Sequence, residues 1–470
     1  MFLLEDMITR QKLVNLLFCL FVTLSVTAFG QQQKPNIIFI LTDDQRWDAL
    51  GYAGNTIIQT PEMDKLAEQG VYFKNAFVTT PICAASRASI LTGLYERTHG
   101  YTFGQTLNES YASESYPLQM KKAGYHTGFY GKFGIKYPGF KSLFDEADDY
   151  DRDVKYPDRR GYFYKTINGD STHLTEYTAY QAQEFIKSAP EDQPFLLSLA
   201  FSAPHAHDPA KDQFFWTDAV DDLYKDVKIP GPILDQKKYF DAQPEYVKTS
   251  ESRTRWFWRY DTPEHYQQSM KGYYRMISQV DIQIGKIRTL LEEKGIADNT
   301  IIIFMGDNGY FCGERQLAGK WLMYDNSLRV PMIIYDPRNP RHRVVEDVAL
   351  NIDIAPTILE FAGVKAPELW QGESLEGYVK GGNPAQGRPG FVVEHLWKID
   401  IIPASEGFRT HEWKYFRYQA DLDHEELYNL KKDPLEKNNI AGKNRYQEVL
   451  DEMRGHFEKK VAKLEADKID

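Results

Sequence analysis

Pro35-Asn36-Ile37-Ile38-Phe39-Ile40-Leu41-Thr42-Asp43-Asp44 is the stretch whose reading decides the fold. Ile37–Leu41 is apolar without alternation, rich in β-branched and aromatic side chains, and too short for a helix. It reads as a strand buried on both faces. Such strands belong to parallel sheets with helices on both sides, and ligands bind beyond their carboxyl ends. Asp43 and Asp44 stand at that end. Thr300-Ile301-Ile302-Ile303-Phe304-Met305-Gly306-Asp307-Asn308 repeats the pattern. Phe195–Phe201 gives a third buried run, and it ends at Ser202-Ala203-Pro204-His205-Ala206-His207.

The other segments fit the same layered class. Thr60-Pro61-Glu62 reads as a helix start, with Thr60 as N-cap and Pro61 first in the helix. Gly70 stops it, and Val71–Val78 follows as a strand. Further helices are expected over Tyr116–Gly124, Tyr177–Ser188 and Thr262–Lys294. Met270, Tyr274, Ile277, Ile284, Ile287 and Leu291 line one face of the last, as core. Leu328–Tyr335 reads as one more strand. Residues 141–170 read as polar and irregular. From Phe391 the character changes to short strands over Phe391–Glu394, Gly407–Thr410, Lys414–Tyr418 and Glu426–Leu430, then a helix from Arg445.

Pro81-Ile82-Cys83-Ala84-Ala85-Ser86-Arg87-Ala88-Ser89-Ile90-Leu91-Thr92-Gly93 is the chemically loaded segment. Cys83 opens a short helix that closes on Gly93. Free N–H groups at that end favour an anion. Arg87 lies one turn on, on the same face. A buried structural cysteine beside a solvated arginine is the plain alternative.

The chain has 470 residues, 42% hydrophobic, with a net charge of −11. That balance argues against a nucleic-acid partner, which needs a basic footprint. An anionic substrate must be drawn by a local basic pocket. Residues 1–30 read as a secretory signal, with an apolar run over Leu13–Ala28 and small residues at Ala28-Phe29-Gly30. Starting at Met7 would give the cleaner positive end. Removing the signal leaves no expected membrane span, and leaves Cys83 and Cys312 as the only cysteines. A disulfide between them is weighed and set aside, because Cys83 has a better use.

The three segments at 35–46, 81–93 and 300–309 together resemble the sulfatase family of the alkaline-phosphatase-like superfamily. The family's nucleophile pattern is Cys-x-Pro/Ala-x-Arg, met here by Cys83, Ala85 and Arg87. The resemblance implies an α/β fold: a large mixed, mostly parallel sheet sandwiched by helices, with a smaller C-terminal antiparallel sheet plus helix. It divides the chain into a leader (1–30), a catalytic domain (31–385) and a C-terminal subdomain (386–470). It implies that Cys83 is oxidised to 3-oxoalanine (formylglycine), whose hydrate attacks sulfur. A formylglycine-generating or anaerobic sulfatase-maturating enzyme would be the partner for that step.

Asp43, Asp44, Asp307 and Asn308 offer hard oxygen ligands, which suit Ca²⁺ or Mg²⁺ over Zn²⁺. The resemblance favours one Ca²⁺, with the converted Cys83 as a further ligand. Gly131-Lys132 resembles the motif whose lysine touches the sulfate, and Ala318-Gly319-Lys320 resembles the second lysine motif. The family's histidine two residues after the first lysine is replaced by Gly134, and Lys136 is a substitute considered for it. His205 is favoured for contact with the scissile oxygen, and His207 is held second, as a substrate-binding residue. His205 or Lys320 would protonate the departing sugar oxygen.

Asn351–Leu359 resembles a structural helix start of the family. Arg253, Arg255, Trp256, Trp258, Arg259 and Tyr260 suit sugar rings and sulfate, or simple packing. Glu394, His395, Trp397 and Arg409 could rim the site by analogy. The implied protein is a periplasmic or secreted sulfatase of a sulfated carbohydrate. The alternatives are a phosphodiester or phosphonate monoester hydrolase, and a non-catalytic carbohydrate-binding homologue.

Overall fold

The computed structural model describes Met7, residues 34–383 and residues 387–469. The leader expected over 1–30 lies outside the described residues apart from Met7, and so does the boundary expected at 385/386. Asn36–Asp470 forms one compact unit. Its central sheet contains β1 (Asn36–Thr42), β2 (Val71–Phe77), β3 (His126–Gly131), β4 (Glu146–Asp149), β5 (Phe195–Phe201), β6 (Thr300–Gly306), β7 (Met332–Tyr335) and β8 (Arg343–Leu350). The spatial order is β8-β2-β7-β6-β1-β5-β3-β4. All neighbours are parallel except β7, which runs against β2 and β6.

The main helices are α1 (Pro61–Gln69), α2 (Cys83–Thr92), α3 (Leu174–Ser188), α4 (Glu251–Arg259), α5 (Pro263–Glu293), α6 (Ile354–Phe361) and α7 (Gln447–Ala466). They explain why β1 does not alternate. Ile37, Phe39 and Leu41 enter one core with Ala84, Ala88 and Leu91 of α2 and Ile354 and Ile358 of α6. Ile38 and Ile40 enter a second core with Met63 of α1, Phe185 of α3 and Ile277 and Ile284 of α5. Both faces of the strand are therefore dry, and each wants an apolar side chain. The expected stripe on α5 is buried in this second core throughout.

The C-terminal portion is an antiparallel meander, β9 (Phe391–His395), β10 (Ser405–Arg409), β11 (Trp413–Tyr418) and β12 (Asp421–Asn429). Helix α7 lies on it, with Phe457 against Tyr415 at 6.1 Å between ring centres.

Three local expectations are corrected, and one strand was not expected. Thr60 precedes α1, but its hydroxyl donates to Asp64 (3.0 Å) and accepts from the Gly51 N–H (2.9 Å). Asp281 of α5 takes the free N–H groups of Glu62 (3.0 Å) and Met63 (2.7 Å) in its place. Residues 328–335 are not one strand: Asp325–Leu328 is a helical turn and β7 starts at Met332. Residues 141–170 hold the edge strand β4 and a hairpin strand, Lys165–Ile167, paired with Asp170–Thr172. Strand β8 has no counterpart in the expectations, because its first half is only partly buried, with Val344 and Glu346 exposed at the sheet edge.

Candidate active site

Four adjacent strands bring the expected residues into one row. Thr42 at the end of β1 pairs with Gly306 at the end of β6 and with Phe201 at the end of β5. Gly131 at the end of β3 pairs with Ala200. Asp307 and Asn308, Asp43 and Asp44, His205, and Lys132 therefore leave neighbouring strands on the same side of the sheet. Gly131 is obligatory here. Its φ is +111°, and a Cβ would stand 2.1 Å from the Ala200 carbonyl oxygen.

Helix α2 points into the row. Ile82 is its extended N-cap residue and Gly93 its left-handed stop, so Cys83 opens the first turn. The thiol is buried, and the Lys132 Nζ lies 4.0 Å from its Sγ. Arg87 donates from Nε to Asp307 Oδ2 (2.9 Å) and from a terminal nitrogen to the Lys132 carbonyl. Its other terminal nitrogen is 3.8 Å from Asp43 Oδ2 and has no hydrogen-bond partner.

The acidic groups are fully enclosed. Asp43 is ion-paired with Lys132, and Lys320 Nζ donates to Asp44 Oδ1 at 2.5 Å. Asn308 donates to the same Asp44 oxygen at 2.7 Å, and Asp307 Oδ1 accepts the Asp44 N–H at 3.1 Å. Burial works to raise Asp43, but Lys132, Lys320 and Arg87 outweigh it and hold the carboxyl below its ordinary range. Burial, with Asp43 beside it, pushes Asp307 up to about 7. Burial works to lower Lys132, and Asp151 and Asp43 overcome it, keeping the ammonium charged.

These residues fit a hard cation. Asp43 Oδ1, Asp44 Oδ2 and Asn308 Oδ1 are buried and have no hydrogen-bond donor. Orphaned oxygens of this kind are rare in a folded protein and call for a partner. Asp43, Asp44 and His205 each offer a ligand atom, all within 4.8 Å of one another. Oxygen donors dominate, as Ca²⁺ or Mg²⁺ requires.

The two histidines part company. His205 Nε2 lies 3.5 Å from Asp44 Oδ2, while its Nδ1 donates to the Ala206 carbonyl at 2.6 Å. Burial and then the nearby Arg152, Lys320 and Lys132 hold its pKa well below the ordinary value. His207 bonds instead to the Tyr156 carbonyl (2.6 Å) and packs near Tyr162 and Phe215. Its bonds lead away from the carboxylates.

Gly134 has φ +70°, and a Cβ there would sit 3.0 Å from Arg87 Cδ, so the position suits glycine. Lys136 is exposed, and its backbone N–H donates to Tyr101 at 3.0 Å. Among the described residues no ion pair takes Lys136 into the acidic cluster.

One pair, Asp151 and Arg152, was missed. Asp151, in the loop after β4, lies 3.2 Å from Lys132 Nζ and is 32% exposed. Arg152 beside it is ion-paired to it and also donates to the Ala206 carbonyl at 2.5 Å. No motif marks Asp151, because it sits in a run of five carboxylates between 145 and 151. Arg255, expected to suit sulfate or packing, has its guanidinium 4.7 Å over the Trp321 ring and donates to Asp208 at 2.8 Å. Trp321 follows Lys320, has φ +84°, and is tied by its N–H to the Pro81 carbonyl at 3.0 Å. Arg259 is wholly buried and bonds Asp208, Gln213 and Tyr310.

On the C-terminal side the expected rim is mostly internal. Arg409 pairs with Asp325 (2.9 Å) and Glu394 with Arg97 (3.0 Å), so both are structural. His395 is fully buried. Trp397 is half-buried against Phe103, 5.0 Å between ring centres. Cys83 and Cys312 are free thiols.

The profile of the Sulfatase family matches residues 35–364, and that of the N-sulphoglucosamine sulphohydrolase C-terminal region matches residues 313–463. An arylsulfatase of Clostridium perfringens is 29% identical, the match covering 90% of this chain and 93% of the relative. An N-acetylglucosamine-6-O-sulfatase of Bacteroides thetaiotaomicron is 28% identical, over 90% and 85%. A structure solved with its substrate D-glucosamine-2-N,6-O-disulfate superposes with a TM-score of 0.77 at 25% identity, covering 93% of this chain and all of the other. The fold, the ordered strand-end cluster and these matches agree: the chain belongs to the sulfatase family and is an enzyme of that family.

Proposed function

We propose that the protein is an exported sulfatase that removes sulfate from a sulfated carbohydrate in the periplasm or outside the cell. The observation that carries this reading is the cluster of buried oxygens at 43, 44 and 308 without donors, walled by Arg87, Lys132 and Lys320 around position 83. Relatives named for N-acetylglucosamine-6-sulfate and for ulvan support a carbohydrate substrate. In this reading residues 1–30 are the leader, 31–385 the catalytic domain and 386–470 a subdomain that closes one side.

Asp43, Asp44, Asp307 and Asn308 would hold one Ca²⁺, which supplies charge compensation for a sulfate ester. Cys83, once converted to formylglycine by a maturating enzyme, would supply a nucleophilic oxygen and a further ligand. The remaining roles belong to side chains as they stand. Arg87 and Lys132 bring cationic N–H groups to the space beside Cys83, where they hold sulfonate oxygens. Such preorganised donors are commonly the largest catalytic contribution. Without an ion, the carboxylates of Asp43, Asp44, Asp307 and Asp151 face an equal number of cations in Arg87, Lys132, Lys320 and Arg152. A bound divalent cation would leave the pocket positive, as an anionic ester needs.

His205 keeps its proton on Nδ1, because that nitrogen meets a carbonyl, so Nε2 is an acceptor. Lys320 carries a proton at Nζ next to Asp44. Of the two groups considered for protonating the departing sugar oxygen, this bonding favours Lys320. His207, with its bonds directed elsewhere, is left as a positioning residue for the loop.

Sulfate release from defined sulfated oligosaccharides, followed by chromatography, tests the reading. 4-Nitrophenyl sulfate should turn over faster than phosphate diester analogues. Faster turnover of the diesters would instead make the protein a phosphodiester or phosphonate hydrolase. An intact thiol at Cys83 in protein from its own host would favour a binding homologue.

A further inference from the structure

We propose that the groove beside Asp208 is a distal sugar subsite, which seats an uncharged pyranose ring of the substrate chain away from the sulfated unit. The proposal rests on the reading of the protein as a carbohydrate sulfatase. The groove lies between the loop 208–216, helix α4 and the start of α5, with a volume of about 750 Å³. That is within the range of about 300–1,000 Å³ typical of small-ligand clefts.

The walls are aromatic. Phe257 and Trp258 of α4 are 51% and 43% exposed, although α4 buries Arg259 completely. The helix thus turns a charged side chain inward and two large apolar ones outward, the reverse of ordinary surface patterning. Phe215 and Trp216 line the groove from the loop. Aromatic planes suit the C–H faces of a sugar ring.

The acidic groups and the histidine of the groove already have hydrogen-bond partners. Asp208 is held by Arg255 and Arg259. Asp212 accepts from Gln268 at 2.9 Å, and His265 bonds Asp261 at 2.6 Å. Lys211, exposed at the rim, offsets Asp212 in net charge. Among the described residues no arginine lines the groove, so a ring bearing hydroxyls fits better than a sulfated one.

A chain of side-chain contacts links the groove to the catalytic cluster. Asp208 bonds Arg255, Arg255 lies on Trp321, and Trp321 adjoins Lys320. A chain whose sulfated unit sits at Lys320 can therefore lay its next units along Asp208 towards Trp258.

The experiment compares wild type with Trp258→Ala and Phe257→Ala, both at exposed positions. Sulfate release is measured on sulfated monosaccharides and tetrasaccharides of ulvan, heparan sulfate and chondroitin sulfate. In wild type the tetrasaccharide should have the lower KM. In each variant the ratio of tetrasaccharide KM to monosaccharide KM should rise, by up to about tenfold for loss of one aromatic face, while Trp258→Phe keeps the wild-type ratio. Oligosaccharide desulfation with unchanged ratios, or without a wild-type chain-length preference, overturns the subsite and leaves the sulfatase reading standing. Release from none of these sugars overturns the carbohydrate reading itself, and the subsite falls with it.

Discussion

Removing and restoring a divalent cation tests the strand-end cluster without relying on turnover. A ligand present at a hundred times its Kd stabilises the native state by about 2.7 kcal/mol. Unfolding entropy near 2.1 cal/mol/K per residue gives about 0.9 kcal/mol/K for a unit of about 435 residues. Adding Ca²⁺ to chelator-stripped protein should then raise Tm by about 3 °C in differential scanning fluorimetry. The informative variant is Lys320→Met. Lys320 is buried and donates to Asp44 Oδ1 at 2.5 Å, so in ion-free protein it does part of the cation's work. Its loss leaves the buried Asp44 side chain with the Asn308 amide on Oδ1 and the His205 ring 3.5 Å from Oδ2 and, among the described residues, with no cation paired to it. Breaking one side of a buried pair costs about 3–5 kcal/mol. The stripped variant should therefore melt about 3–5 °C lower, and Ca²⁺ should restore most of that. The Ca²⁺ shift grows to about 6–8 °C. A shift equal to or below the wild-type value would mean that the cation does not bind at Asp44. No shift in wild type with Ca²⁺, Mg²⁺ or Mn²⁺ would refute the site.

Three further perturbations follow from the geometry. Asp151→Asn removes the carboxylate 3.2 Å from Lys132 Nζ. Charge-assisted bonds contribute about 1.5–3 kcal/mol, so kcat on 4-nitrophenyl sulfate should fall at least about tenfold with KM little changed; an unaltered kcat would show that Lys132 is held without Asp151. Gly134→Ala forces a side chain into a left-handed residue and against Arg87. A cost of about 1–2 kcal/mol should lower Tm by about 1–2 °C, with a loss of kcat as Arg87 shifts; wild-type Tm and kcat would contradict the crowding. Burial, aided by Glu62 and Asp64, holds the Asp281 carboxyl up near 7 against the N–H groups of Met63 and Glu62. The native state then keeps a proton that the unfolded chain has lost. Stability should therefore fall as pH rises from about 4 towards about 7. Asp281→Asn keeps an acceptor for α1 and should lessen that slope in urea titrations at pH 5 and pH 7.5, Asp307 contributing a like share; an unchanged slope would assign it to other groups.

The legible parts of the molecule were those where local pattern and tertiary environment demand the same thing. β1, β5 and β6 are buried on both faces, so each demands an unbroken apolar run, and such runs stand out in the sequence. Position 83 was legible because a helix needs both a start and a stop, and Gly93 supplies the stop. The parts that were not legible depend on pairings that a sequence does not print. Strand β8 is held by its neighbour β2 rather than by its own hydrophobicity. Thr60 has the composition of a cap, yet Asp281 does the capping from more than two hundred residues away. His205 and His207 are two residues apart and chemically identical. What separates them is where the backbone of the 202–208 loop turns each ring: one to Asp44, the other to Tyr156. Asp151 is the strongest case. It is one of five acids between 145 and 151, and it reaches Lys132 because β4 sits beside β3 at the sheet edge. The same adjacency that hides Asp151 from the sequence puts its carboxylate beside the lysine leaving β3, while Gly134 leaves room for Arg87. A carboxylate from the loop that follows the edge strand therefore stands next to the site lysine where the chain itself carries no side chain at 134.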